Sequence, residues 1–202
     1  MRRVGALIFP GFELLDLFGP LEMLGLLEDD FELRLVAENL GPVERNQRVA
    51  ASADVTIDQG AAFDVILVPG GAGTRREIEN NAILDWIVEA SEKAEYSLSV
   101  CTGSALFARA GILDGERATT NKAAFSWVAE QGPLVEWVKK ARWVESGKYL
   151  TSSGVSAGMD MALGAIALMH GDETAEKVAL WSEYTWHRDK HDDPFAQIHG
   201  LA

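Results

Sequence analysis

The sequence predicts one α/β domain built on a mostly parallel sheet with helices on both faces. Three observations carry this. Apolar runs of strand length recur along the chain, segments with helical apolar spacing follow them, and Pro-Gly or Gly-rich turns mark the junctions. Parallel strands need crossover connections, and helices of about three turns supply them. A length of 202 residues suits one domain, residues 1–202, with no repeat and no linker. At 22.0 kDa, area scaling puts roughly 70% of the unfolded chain's surface out of water, enough for a full core.

Residues 4–9 form a continuous apolar run closed by Pro10-Gly11, as expected of a strand buried on both faces. Residues 12–27 then show helical spacing, interrupted at Gly19-Pro20. Strands are expected at 31–37, at 53–57 as a short alternating one, and at 65–68, where the run ends abruptly in Pro69-Gly70-Gly71-Ala72-Gly73. Residues 81–93 repeat Ile83, Trp86, Ile87 and Ala90 at helical intervals, and 96–100 is a β-prone stretch leading into Cys101. The alternation continues through 102–110, 123–130, 142–145, 149–151, 155–170 and 175–186. In sheets of this kind ligands sit beyond the carboxyl ends of the strands, so the turns at Pro10, Pro69 and Cys101 should converge on one crevice.

Composition narrows the function. With 48% apolar and 24% charged residues, the chain is neither disordered, collagenous nor membrane-like. Its 18 Lys+Arg against 31 Asp+Glu give a net charge of −13, which repels phosphate backbones, so no nucleic-acid partner is expected. The N-terminal apolar run is too short, and too soon followed by Glu13 and Asp16, for an export signal or a membrane span. One cysteine excludes an intrachain disulfide or a thiolate-rich zinc site and fits a reducing, cytoplasmic location.

That cysteine lies in Ser99-Val100-Cys101-Thr102-Gly103-Ser104, with small residues two before and two after it. Between a strand and a helix, such a segment can make the tight turn of a nucleophile elbow, here with sulfur. A helix N-terminus facing the thiol should favour the thiolate and bring its pKa below the usual value of about 8.5. An oxyanion needs two donors: the Gly70-Gly71 turn is placed to give one and the Thr102 N–H the other. The bland alternative, a small buried hydrophobe ending a strand, is the commoner fate of a lone cysteine, and the elbow sequence weighs against it.

Taken together, Phe9-Pro10-Gly11-Phe12, Leu15-Asp16-Leu17-Phe18-Gly19-Pro20, Val68-Pro69-Gly70-Gly71, Val100-Cys101-Thr102-Gly103-Ser104, Gly111-Ile112-Leu113-Asp114-Gly115, Ala118-Thr119-Thr120 and Gly154-Val155-Ser156-Ala157-Gly158 resemble the ThiJ/PfpI superfamily, in order from residue 4 to about 170. The resemblance implies a flavodoxin-like three-layer α/β sandwich, a cysteine on an elbow, an acidic residue of the first helix hydrogen-bonded to it, and commonly a homodimer. Within that superfamily the pattern is most similar to the isonitrile hydratases, with Asp16 in the Leu-Asp-x-x-Gly-Pro segment and Thr102 directly after the nucleophile. This implies catalytic roles for Cys101, Asp16 and Thr102, with Gly70, Gly71 and Asn121 binding the oxyanion or the substrate, a small carbon electrophile. No cofactor or metal is implied: the sulfur attacks the isonitrile carbon, the acid protonates it, and water releases a formamide. A carboxyl beside a thiolate in a partly dry pocket is expected to stay protonated as the acid. Two departures stand out. The Cys-His peptidase pattern of PfpI-type relatives has His where this chain has Thr102, and many relatives have His where this chain has Asn121.

Other constellations compete. Gly154 to Gly158 is formally G-x-S-x-G, and Ser156, Asp172, His187 follow the order of an α/β-hydrolase, but only 46 residues remain after Ser156; close glycine packing of a helix beside the sheet is the better reading. His187 and His191, four apart among carboxylates, would share a helix face, yet Arg188 and Lys190 oppose a cation there. Trp181, Tyr184 and Trp186 are expected in the core, the pocket or a dimer face. The expectation is therefore cysteine-dependent hydration of an isonitrile. The alternatives are a redox-responsive or chaperone-like protein oxidised at Cys101, or a glyoxalase or deglycase acting on methylglyoxal.

Overall fold

The computed structural model describes residues 1–44, 49–59 and 62–201. Seven strands form one sheet: β1 (Arg2–Leu7), β2 (Phe31–Ala37), β5 (Val55–Thr56), β6 (Val65–Val68), β7 (Tyr96–Val100), β10 (Trp143–Ser146) and β11 (Tyr149–Ser152). Two small sheets stand beside it, an antiparallel hairpin of β3 (Gly41–Glu44) with β4 (Ala50–Ala53), and a parallel pair of β8 (Arg117–Ala118) with β9 (Glu136–Trp137). The helices are α1 (Leu14–Gly25), α2 (Thr74–Glu77), α3 (Asn81–Lys93), α4 (Gly103–Arg109), α5 (Phe125–Gln131), α6 (Ala157–His170), α7 (Asp172–Trp181) and α8 (Phe195–Ile198).

The main sheet runs β10-β11-β7-β6-β1-β2-β5, parallel except for β10, which pairs antiparallel with β11. This is the mostly parallel sheet predicted. The middle strand, β6, is apolar throughout because helices cover both faces: Val65, Ile66, Leu67 and Val68 are all fully buried. Each such side chain contributes about 1.5–3 kcal/mol of burial. After β1 the chain moves outward to β2, then returns to place β6 on the other side of β1. The crevice opens at that reversal, where β1, β6 and β7 end.

Several boundaries differ from the sequence reading. Gly19-Pro20 does not interrupt the first helix, which runs through Pro20. A Cβ on Gly19 would lie 2.9 Å from Met159, so α1 presses against α6 there, and that packing holds the helix across the missing amide. The strand expected at 53–57 is two short ones, β4 and β5, in different sheets. The last long helix ends at Trp181 instead of 186, and Glu183 adopts φ 49 just beyond it.

Candidate active site

Cys101 sits between β7 and α4 with φ 57, a left-handed conformation that strains a side-chain-bearing residue. Four hydrogen bonds hold that corner. The Cys101 N–H donates to Ser152 O (3.2 Å) and Ser153 O (3.0 Å), and its carbonyl accepts from Ser104 Oγ (3.1 Å) and Thr120 Oγ1 (2.8 Å). Gly103 is dictated by space: a Cβ there would stand 2.3 Å from Val68 O. The nucleophile elbow expected from sequence is present as geometry.

Two glycine turns interlock to bring Asp16 to the sulfur. Glu13 N–H donates to Gly70 O (2.8 Å) and Gly73 N–H to Gly11 O (3.1 Å), which fixes the start of α1 against the end of β6. Gly71, at φ 124, leaves no room for a Cβ, which would meet Gly11 O at 2.4 Å. Asp16, in the first turn of α1, is thereby fully buried and accepts the Gly70 N–H at Oδ2 (3.0 Å). Its carboxyl also hydrogen-bonds the Cys101 thiol.

The sequence expectation that the Gly70-Gly71 turn leaves an amide open to an oxyanion, beside the Thr102 N–H, needs correcting. Gly70 N–H is engaged by Asp16, and Gly71 N–H donates to Thr102 Oγ1 (3.0 Å). These amides orient the acid and the hydroxyl beside the sulfur. Thr74, which the sequence reading did not single out, completes the arrangement: its buried hydroxyl lies 2.8 Å from Gly71 O and 3.1 Å from Thr102 Oγ1. Only its place three residues beyond Gly71 could have signalled it.

The expected low thiol pKa is also overturned. Burial raises it, with Cys101 only 6% exposed, and the Asp16 carboxylate raises it further. The Thr102 N–H and the Asn121 side chain pull the other way, with less effect. The helix that follows has 7 residues, and the sulfur beside it is dry and faces a negative charge. Burial and the facing carboxylate both favour the protonated thiol.

Asn121 is brought to the site as expected. Its Oδ1 accepts the Ala124 N–H (3.0 Å), which turns the amide nitrogen toward Gly154 and the sulfur. A cavity of about 220 Å³ is lined by Asn121, by the apolar Ala123, Val155 and Phe195, and by the polar Lys122, Arg142, Ser153, Ser156, Asp193 and His199. Lys122 is almost fully buried, donating to Ala141 O (2.6 Å) and Thr119 Oγ1 (2.8 Å), 3.9 Å from Asp193, and desolvation lowers its pKa to about 8.

The rival constellations do not assemble. Ser156 is exposed and accepts from Arg142, and Asp172 pairs with Arg188. Gly158 packs its backbone against Val100 and Pro20, as the close-packing reading requires. His187 and His191 lie on irregular chain instead of a helix, and no metal-holding cluster occurs among the described residues. Trp186 and Tyr184 bond Asp160 on α6 and line no part of the cavity next to Asn121, while Trp181 is exposed. No helix among the described residues is long and apolar enough to cross a membrane.

Comparison with known proteins agrees with this geometry. The DJ-1/PfpI family pattern matches residues 2–168. The isonitrile hydratase of Pseudomonas putida is 37% identical over 182 residues, covering 90% of this chain and 78% of that protein. The crystal structure of a ThiJ/PfpI family protein from Pseudomonas syringae superposes with a TM-score of 0.84 at 30% identity, covering 96% of this chain and 77% of that one. The HTH-type transcriptional regulator CdhR of Pseudomonas aeruginosa is 25% identical over 86% of this chain, which spans 52% of it. A match over most of the length, with the elbow cysteine and its buried acid in place, makes this chain a member of the DJ-1/PfpI family.

Proposed function

We propose that this protein is a cysteine-dependent isonitrile hydratase, adding water to an isonitrile to give an N-substituted formamide. The observation that carries the reading is the buried Asp16 carboxyl hydrogen-bonded to the Cys101 thiol, in a chain 37% identical to an isonitrile hydratase. Asp16 takes the thiol proton as the sulfur bonds to the terminal isonitrile carbon, then delivers that proton to the same carbon, giving a thioimidate. Water adds to the thioimidate carbon and its nitrogen gains a proton. The C–S bond then breaks, the sulfur regains a proton, and the formamide leaves. A raised thiol pKa suits this sequence, because the proton removed from sulfur is the one the carbon needs. The Thr102 hydroxyl, held by Gly71 and Thr74, stands beside the sulfur to orient the substrate or the attacking water.

The test is to supply an alkyl isonitrile and follow formamide by chromatography. Turnover by the native protein that disappears in Cys101→Ala supports the reading. Absence of formamide, with methylglyoxal consumed or with Cys101 converted stoichiometrically by low peroxide, would replace it with one of the other two activities of a thiol in this position.

A further inference from the structure

The family pattern ends at residue 168, yet the chain beyond α7 returns to the carboxyl end of the sheet. Its anchors are specific. Asp160 Oδ1 accepts from the Tyr184 hydroxyl (3.0 Å) and the His187 N–H (2.8 Å), while the Trp186 indole donates to the Asp160 carbonyl (3.1 Å). Arg142 N–H then donates to Lys190 O (2.9 Å), and Asp193 N–H to Lys140 O (2.7 Å). Asp193 itself is buried, faces Lys122 at 3.9 Å, and accepts the Phe195 N–H (3.0 Å) to start α8. Lys122 adjoins Asn121 in sequence, and Asn121 reaches the sulfur. The tail is thus anchored beside Lys122, next in sequence to the residue that reaches the sulfur.

At the end of that chain Phe195 and His199 line the 220 Å³ cavity that Asn121 also lines. We propose that α8 is the substrate-selecting wall of the site, with the Phe195 ring setting how bulky an isonitrile N-substituent can be. The substituent is compact, to fit that volume. Ala123, Val155 and Phe195 offer it apolar contact, beside the polar side chains of Arg142, Ser153 and Asp193. Phe195 is half exposed, so changing it reshapes the cavity without opening the core.

The selectivity rests on the hydratase reading, and the test separates the two. Phe195→Ala and Phe195→Trp are compared with the native protein in the ratio of kcat/KM for benzyl isonitrile to that for methyl isonitrile. In parallel, alkylation of Cys101, the single cysteine, is followed by mass spectrometry as the rate ratio of N-benzylmaleimide to N-methylmaleimide. The expected result is a rise of about tenfold in both ratios with Ala and a fall with Trp, the scale on which a pocket discriminates one or two carbon groups. Unchanged ratios in both folded variants, for both reagent pairs, would overturn the assignment. A shifted maleimide ratio with no isonitrile turnover in any form would keep the wall and reject the hydratase.

Discussion

Gly70→Ala is the sharpest perturbation of the site, because the added methyl lands between the groups that do the chemistry. Its Cβ would lie 2.6 Å from Thr102 N, 2.7 Å from Thr102 Oγ1 and 2.8 Å from Asp16 Oδ2. Gly70 is not in the left-handed region, so the backbone accepts alanine and crowding is the only cause of any effect. To reach ordinary contact these atoms must retreat by about 0.6–0.8 Å, beyond the ~0.5 Å tolerance of a catalytic arrangement. The retreat separates Asp16 from the sulfur and tilts the Thr102 hydroxyl. We expect kcat/KM for isonitrile hydration to fall about 10- to 100-fold. Overpacking should cost about 1–3 kcal/mol of stability. Steady-state kinetics and urea denaturation read the two effects separately. Native kinetics in a folded Gly70→Ala protein would refute the claim that the close approach of Thr102 and Asp16 around this glycine sets the reaction geometry.

Further outcomes follow from the same geometry. Cys101→Gly should be more stable to urea than Cys101→Ala, by about 1 kcal/mol, since the residue at φ 57 no longer carries a Cβ; equal stabilities would mean that the corner is not strained. Lys122 has a folded pKa near 8, below its ordinary 10.5, so the unfolded chain binds the extra proton between those values and stability should rise as pH climbs through that window. The difference in unfolding free energy between the native protein and Lys122→Met should therefore grow by up to about 3 kcal/mol from pH 8 to 10.5, and a flat difference would contradict the buried charge. Under turnover, rapid acid quench should leave the mass of the isonitrile on the peptide containing Cys101, and formamide formed with that adduct never present at any quench time would argue against a covalent path.

The parts of this molecule legible in the sequence were those set by local pattern. Residues 65–68 read as a strand because four consecutive apolar side chains need cover on both faces; Gly70, Gly71 and Gly103 stand where a Cβ would collide, and Cys101 reads as a corner from the small residues two before and two after it. Contacts made across the fold left weaker traces. Pro20 looked like a helix break, and only the press of α6 on Gly19 lets α1 continue. The thiol's electrostatics were misjudged because the positive end of α4 is visible in sequence, whereas the burial and the facing carboxylate that outweigh it are tertiary. The wall of the cavity was missed for the same reason: Phe195 and His199 are separated from Asn121 by more than seventy residues and meet it through anchors on Asp160 and Asp193 that carry no spacing signature.

The coupling of Asp16 to Cys101 is tested most directly by one variant and two readouts. Asp16→Asn keeps an oxygen to accept the Gly70 N–H but removes the negative charge that raises the thiol pKa. At pH 7.5 its Cys101 should be alkylated by iodoacetamide faster than the native thiol, while formamide production falls by about 10²-fold or more for want of the proton carrier. Alkylation slowed or unchanged, or hydration undiminished, would contradict the assignment of a shared proton between that carboxyl and the sulfur.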